Sequence, residues 1–63
     1  MNINNFIEII LTNGAMSLGH ESDRICLTGP SGKRICIYTL EEYISKSEIK
    51  EYIYKLGLNI KLP

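Results

Sequence analysis

The chain has 63 residues, seven Lys and Arg against seven Asp and Glu, one His, two Cys and no Trp, and its formal net charge is zero. That length allows one small domain with one core, burying about 60% of the unfolded surface, and is too short for a dinucleotide-binding fold or a barrel enzyme. A neutral chain lacks the surplus of cations with which a protein coats nucleic acid non-specifically, while a hydrophobic fraction of 44% is that of a folded rather than a disordered chain.

Apolar residues at Ile3, Phe6, Ile7, Ile10 and Leu11 recur with helical spacing, which predicts a helix from Ile3 to Asn13. Asn5, Glu8 and Thr12 fall on its other face. Asn13-Gly14 is its stop, because glycine accepts the left-handed conformation that closes a helix. Ile9 interrupts the pattern, and a buried strand is the competing reading. Next, Met16 and Leu18 alternate with Ser17 and Gly19, which suits a short edge strand. Gly19-His20-Glu21-Ser22-Asp23 reads as a polar loop.

Arg24 to Thr39 is the clearest element. Arg24-Ile25-Cys26-Leu27 and Arg34-Ile35-Cys36-Ile37 are near copies separated by Thr28-Gly29-Pro30-Ser31-Gly32-Lys33. Pro30 suits the first corner of a type I turn, and Gly32 the left-handed residue after it, which together predict a three-residue hairpin loop. With Gly29 and Lys33 as closing pair, Thr28 faces Arg34, Leu27 faces Ile35, Cys26 faces Cys36 and Ile25 faces Ile37. Ile25, Leu27, Ile35 and Ile37 then share one face, and Cys26, Thr28, Arg34 and Cys36 the other. A slip of one residue would mix the two sets.

The last third reads as helical. Thr39-Leu40-Glu41-Glu42 fits a capping box leading into a short helical turn at Leu40–Ile44. Ser45-Lys46-Ser47-Glu48 offers a second box, and a helix is expected from about Ser47 to Leu56, with Ile49, Tyr52, Ile53 and Leu56 inward and Gly57 as its end. Leu58, Ile60 and Leu62 alternate with Asn59 and Lys61, a pattern suited to an extended tail. The whole is expected to be one α+β domain spanning 1–63: a three-stranded antiparallel sheet with a helix on either side of it in sequence, both covering the Ile25/Leu27/Ile35/Ile37 face.

No apolar run approaches the roughly 20 residues that span a bilayer, and Met1 to Asn5 lacks a basic secretory start. The expectation is a cytoplasmic protein with no membrane partner. The wealth of Ile, Asn, Lys and Tyr resembles proteins of AT-rich genomes, among them many phage and low-GC bacterial proteins.

Three stretches resemble the HicA family of toxin–antitoxin mRNA interferases, whose fold is related to the double-stranded-RNA-binding domain. Phe6-Ile7-Glu8-Ile9-Ile10-Leu11-Thr12-Asn13-Gly14 is similar to the family's first helix and its Asn-Gly close. Ile25 to Ile37, with Gly29-Pro30-Ser31-Gly32-Lys33-Arg34 at the tip, is similar to its central hairpin. Ser47 to Leu58 is similar to its last helix and the Gly-hydrophobic pair after it. The resemblance implies that fold, and for the family at large an RNA-cleaving His in a Gly-Ser-His-like motif at the start of the hairpin. Here the matching stretch is Glu21-Ser22-Asp23-Arg24, which holds no His, and His20 is displaced from it. The family is commonly basic, and this chain is neutral. The fold is therefore expected without the nuclease.

Among single residues, His20 is the one weak candidate for catalysis; its plain reading is an exposed loop His beside carboxylates. A ribonuclease would need a second catalytic group and a phosphate clamp near it. Cys26 and Cys36 occupy a non-hydrogen-bonded cross-strand pair, where side chains lie closest, so a disulfide is geometrically allowed. In a cytosolic chain two reduced thiols are the favoured state. Two thiols and one His fall short of a structural zinc site within one chain, leaving only ligands shared across a homodimer, and no cofactor is expected. Gly29-Pro30-Ser31-Gly32-Lys33 lacks the spacing of a phosphate loop and is explained by turn chemistry.

The charge total averages unlike parts. Met1 to Asp23 carries only acids, and Arg24 to Thr39 only the bases Arg24, Lys33 and Arg34. From Leu40 onward the signs balance. Arg24, Lys33, Arg34 and Tyr38 form a basic–aromatic strip, and Tyr54, off its helix's inward stripe, is a further contact candidate; Arg and Tyr favour both protein hot spots and nucleobases. The leading functional reading is a small non-catalytic interaction module that binds and blocks a protein or nucleic-acid partner, as a phage-type anti-defence protein or a toxin–antitoxin inhibitor would. The alternative is a HicA-like ribonuclease using His20. A protein is the first choice of partner, RNA or DNA the second, and a homodimer through an edge strand or the open face a third.

Overall fold

The computed structural model describes residues 1–60, in which five elements follow one another: α1 (Ile3–Thr12), β1 (Met16–His20), β2 (Arg24–Thr28), β3 (Arg34–Tyr38) and α2 (Lys46–Leu56). The strands form one antiparallel sheet in the order β1-β2-β3. The class is α+β, as the period-two and period-3.6 stretches imply.

Helix α1 begins at Asn2, whose side-chain oxygen accepts the backbone N–H groups of Asn4 and Asn5. Ile3, Phe6 and Ile10 are its buried stripe, so the competing strand reading falls away. Asn13 closes it, and Gly14, at φ 111°, turns the chain into β1. Strands β2 and β3 pair in the expected register, Arg24 opposite Tyr38 through Thr28 opposite Arg34. The Gly32 N–H bonds the Gly29 carbonyl at 2.9 Å, and Gly32 sits at φ 80°, completing the type I turn and its left-handed residue.

Two expectations are corrected. Gly19 and His20 belong to β1, opposite Cys26 and Ile25, rather than to a loop. The Glu21 N–H bonds the Arg24 carbonyl at 2.8 Å, and this tight turn lets the ladder run on to His20. The register shifts between Ser17 and Gly19, making Leu18 the extra residue of a β-bulge. The Thr39 capping box and the helical turn at Leu40–Ile44 do not form. Their backbone groups are taken by the N-terminus instead: Ile3 N–H bonds Glu42 O at 3.0 Å, Ile44 N–H bonds Met1 O at 2.9 Å, and Asn2 bridges Tyr43.

The second box does form. Ser45 Oγ accepts the Glu48 N–H at 3.2 Å, the Glu48 carboxylate accepts the Ser45 N–H at 3.3 Å, and Gly57 ends α2 at φ 75°. Beyond it Leu58 is buried and Ile60 half-buried, without strand pairing for either; the expected packing of Leu62 lies outside the described residues.

Ile25, Leu27, Ile35 and Ile37 pack with Ile3, Phe6 and Ile10 of α1 and Ile49 and Leu56 of α2 in one core, which Ala15, Ile44 and Leu58 complete. The hairpin tip also docks on the end of α2. The Ser31 N–H bonds the Leu56 carbonyl at 3.1 Å, and Ser31 Oγ donates to the Lys55 carbonyl, which satisfies two of the helix's last acceptors. Among the described residues no helix is long and apolar enough to cross a membrane.

Candidate functional site

Both helices bury their stripes against the Ile25/Leu27/Ile35/Ile37 face, which leaves the other face of the sheet open. Cross-strand partners share a face, so the open side carries Arg24, Cys26 and Thr28 of β2, Arg34, Cys36 and Tyr38 of β3, and Met16 of β1 opposite Thr28. Met16 is 66% exposed and Tyr38 57%.

Arg24 and Tyr38 meet at one end of this face, the guanidinium carbon 5.7 Å from the ring centroid, within cation–π range. Arg24 is not a free cation. Its Nε donates to Asp23 Oδ1 at 3.3 Å and lies 3.5 Å from a Glu21 carboxylate oxygen. The Asp23 hydrogen bond first, and then the charges of Asp23 and Glu21, hold the guanidinium above its ordinary pKa range. The turn before β2 thus folds two acids back onto the Arg24 end of the strip and balances that one cation. Arg34 lies at the opposite end of the same face, level with Thr28 and Met16, and Lys33 sits beside it at the turn. Tyr54 is not part of this surface: it is 82% exposed on the solvent side of α2, in the other layer. His20 is exposed at the end of edge strand β1, level with Ile25, and its side chain makes no hydrogen bond or ion pair among the described residues.

Between these poles Cys26 and Cys36 lie opposite each other with Cα atoms 4.0 Å apart and their sulfurs joined in a disulfide, where the favoured sequence reading was two reduced thiols. Alternation explains the closeness. Thr39 N–H bonds Asp23 O at 2.9 Å, so the hydrogen-bonded pairs are Asp23/Thr39, Ile25/Ile37 and Leu27/Ile35, and Cys26/Cys36 falls between two of them. Among the described residues no group of three or more His, Cys, Asp or Glu side chains is placed to hold a metal ion.

One feature has no local signal in the sequence. Tyr38, Tyr43 and Tyr52 come from three separate segments and, with Glu41 and Glu48, line a hollow of about 420 Å³ beside β3. Tyr52 is also shared with a second hollow, of about 540 Å³, lined by Lys33, Arg34, Ile35, Cys36 and Lys55. Burial first, then the charges of Glu48 and Glu51, raises the Tyr52 phenol above its ordinary range. Comparison with protein families, with curated proteins and with solved structures finds no match.

Proposed function

We propose that the protein is a small non-catalytic interaction module that binds, and by binding blocks, a partner protein through the open face of its sheet. The observation that carries this reading is the Arg24–Tyr38 pair on that uncovered face, a cation over an exposed aromatic ring at 5.7 Å. Arg and Tyr are the residues on which binding energy concentrates in protein interfaces. The balance of Arg24 by Glu21 and Asp23 leaves only Lys33 and Arg34 as unneutralised cations on this strip, which favours a protein over a nucleic acid, since phosphate binding draws on many such cations. The phage-like composition directs the search toward toxins and defence nucleases as the partner.

The test is affinity capture from cells of the source organism with the wild type and with Tyr38→Ala, Arg34→Glu and Tyr54→Ala variants. A protein retained by wild type and Tyr54→Ala but lost from Tyr38→Ala and Arg34→Glu supports the reading. Retention by all four places the contact elsewhere and ends it. Incubation with RNA beside a His20→Ala variant examines the interferase alternative, because cleavage by wild type that the variant loses contradicts a non-catalytic role.

A further inference from the structure

The free edge of β3 carries an inference that stands apart from the open-face reading. Because Arg34, Cys36 and Tyr38 sit in the non-hydrogen-bonded pairs with β2, their backbone N–H and C=O groups point away from β2, toward an edge that no other strand covers among the described residues. Proteins blunt such edges with bulges, prolines or inward charges. The opposite edge, β1, has the Leu18 bulge. β3 has no bulge and no proline, and its one charged residue, Arg34, lies on the open face.

Charge is divided along this edge. The hollow at one end holds Lys33 and Arg34, and the hollow at the other holds Glu41 and Glu48 with Tyr38, while Tyr52 lies between the two. A two-fold axis just outside the edge, beside the middle of β3, sets unlike halves opposite each other, basic against acidic–aromatic, twice over. A single strand of another protein would need its own matching polarity, whereas a second copy of this chain supplies it by symmetry.

We infer that the protein self-associates by antiparallel pairing of β3 with β3 of a second copy, Cys36 facing Cys36. The outward groups of Arg34, Cys36 and Tyr38 then become ladder hydrogen bonds, and the two sheets join into one of six strands. Arg34 of each copy stands across from Tyr38 of the other, and Lys33 approaches the Glu41 end. The open face doubles in extent, with both Arg24–Tyr38 pairs on one continuous surface.

Light scattering over a concentration series tests this. The wild type should move from 7.2 kDa toward twice that mass as concentration rises, and less so in high salt. Arg34→Glu and Glu41→Lys, both at exposed positions, should each stay at monomer mass with an unchanged circular dichroism spectrum, because each sets like charges together. Mixed in equal amounts they should form a heterodimer. Amide exchange should show Arg34, Cys36 and Tyr38 protected in the dimer and unprotected in the monomer. A wild type that stays monomeric at every concentration overturns the inference, and so does dimerisation that both charge variants retain. Loss of the dimer only on Met16→Glu would move the interface to β1 and overturn it equally.

Discussion

Gly29 lies against the C-terminal end of α2, and replacing it with alanine tests that approach. A Cβ at Gly29 would run into the Leu56 carbonyl oxygen and come within 3.1 Å of Leu56 Cβ and 3.2 Å of Leu56 C. These are mostly backbone atoms at the capped end of a helix, so no side-chain rotation relieves the overlap. Forcing such a shift costs about 1–3 kcal/mol, and losing the Ser31–Leu56 hydrogen bond with it adds about 1 kcal/mol. A chain of this length has a total stability of about 3–9 kcal/mol, so the change removes a large share of it. Each kcal/mol lowers Tm by about 4–8 °C in so small a domain. Two controls separate the causes. Gly32→Ala meets nothing within 4 Å but sits at φ 80°, and should cost about 1–2 kcal/mol from backbone strain alone. Gly19→Ala has open space and ordinary φ, and should change Tm little. Thermal unfolding followed by circular dichroism ranks the three. A Gly29→Ala variant as stable as Gly19→Ala would refute the docking of the tip on α2.

Three further outcomes follow from the same geometry. Reduction of the Cys26–Cys36 bond, which closes a loop of sequence separation 10, should lower stability by up to about 3 kcal/mol in urea unfolding, and a Cys26→Ser/Cys36→Ser variant should match the reduced wild type with or without reductant. Ser45→Ala removes the capping box of α2 and should cost about 1 kcal/mol, whereas Thr39→Ala should stay within about 0.5 kcal/mol of wild type because Thr39 caps no helix. The raised Tyr52 phenol keeps its proton in the folded chain at a pH where the unfolded chain has lost it. Unfolding then releases a proton, and stability falls as pH rises past about 10, the ordinary tyrosine value. Urea midpoints taken from about pH 9 to 11 should fall less steeply in Tyr52→Phe.

The hairpin register was legible because every signal for it is local. The period-two pattern separates Ile25, Leu27, Ile35 and Ile37 from the opposite face, and Pro30 and Gly32 set the turn between them. Caps are less decisive. Thr39–Glu42 and Ser45–Glu48 look alike in sequence, and only the second becomes a helix start, because Met1 to Ile3 claims the backbone of Glu42 and Ile44. That competition acts over some forty residues and leaves no trace at either end. The candidate surface divides in the same way. The meeting of Arg24 with Tyr38 follows from the register. The balancing of Arg24 by Glu21 depends on a turn whose tightness no motif announced. Tyr54, isolated by its place on the helix, proved to lie in the other layer, while Tyr38, Tyr43 and Tyr52 converge from three segments with nothing in their spacing to foretell it.

Photo-crosslinking at the open face tests the interaction role most directly. A photoreactive benzoylphenylalanine placed at Tyr38, and separately at Tyr54, is expressed in cells of the source organism and irradiated. Attachment of a discrete protein other than this chain at position 38, absent at position 54, is the expected result. Attachment only at position 54, or of RNA rather than protein at position 38, would contradict a protein-binding sheet face.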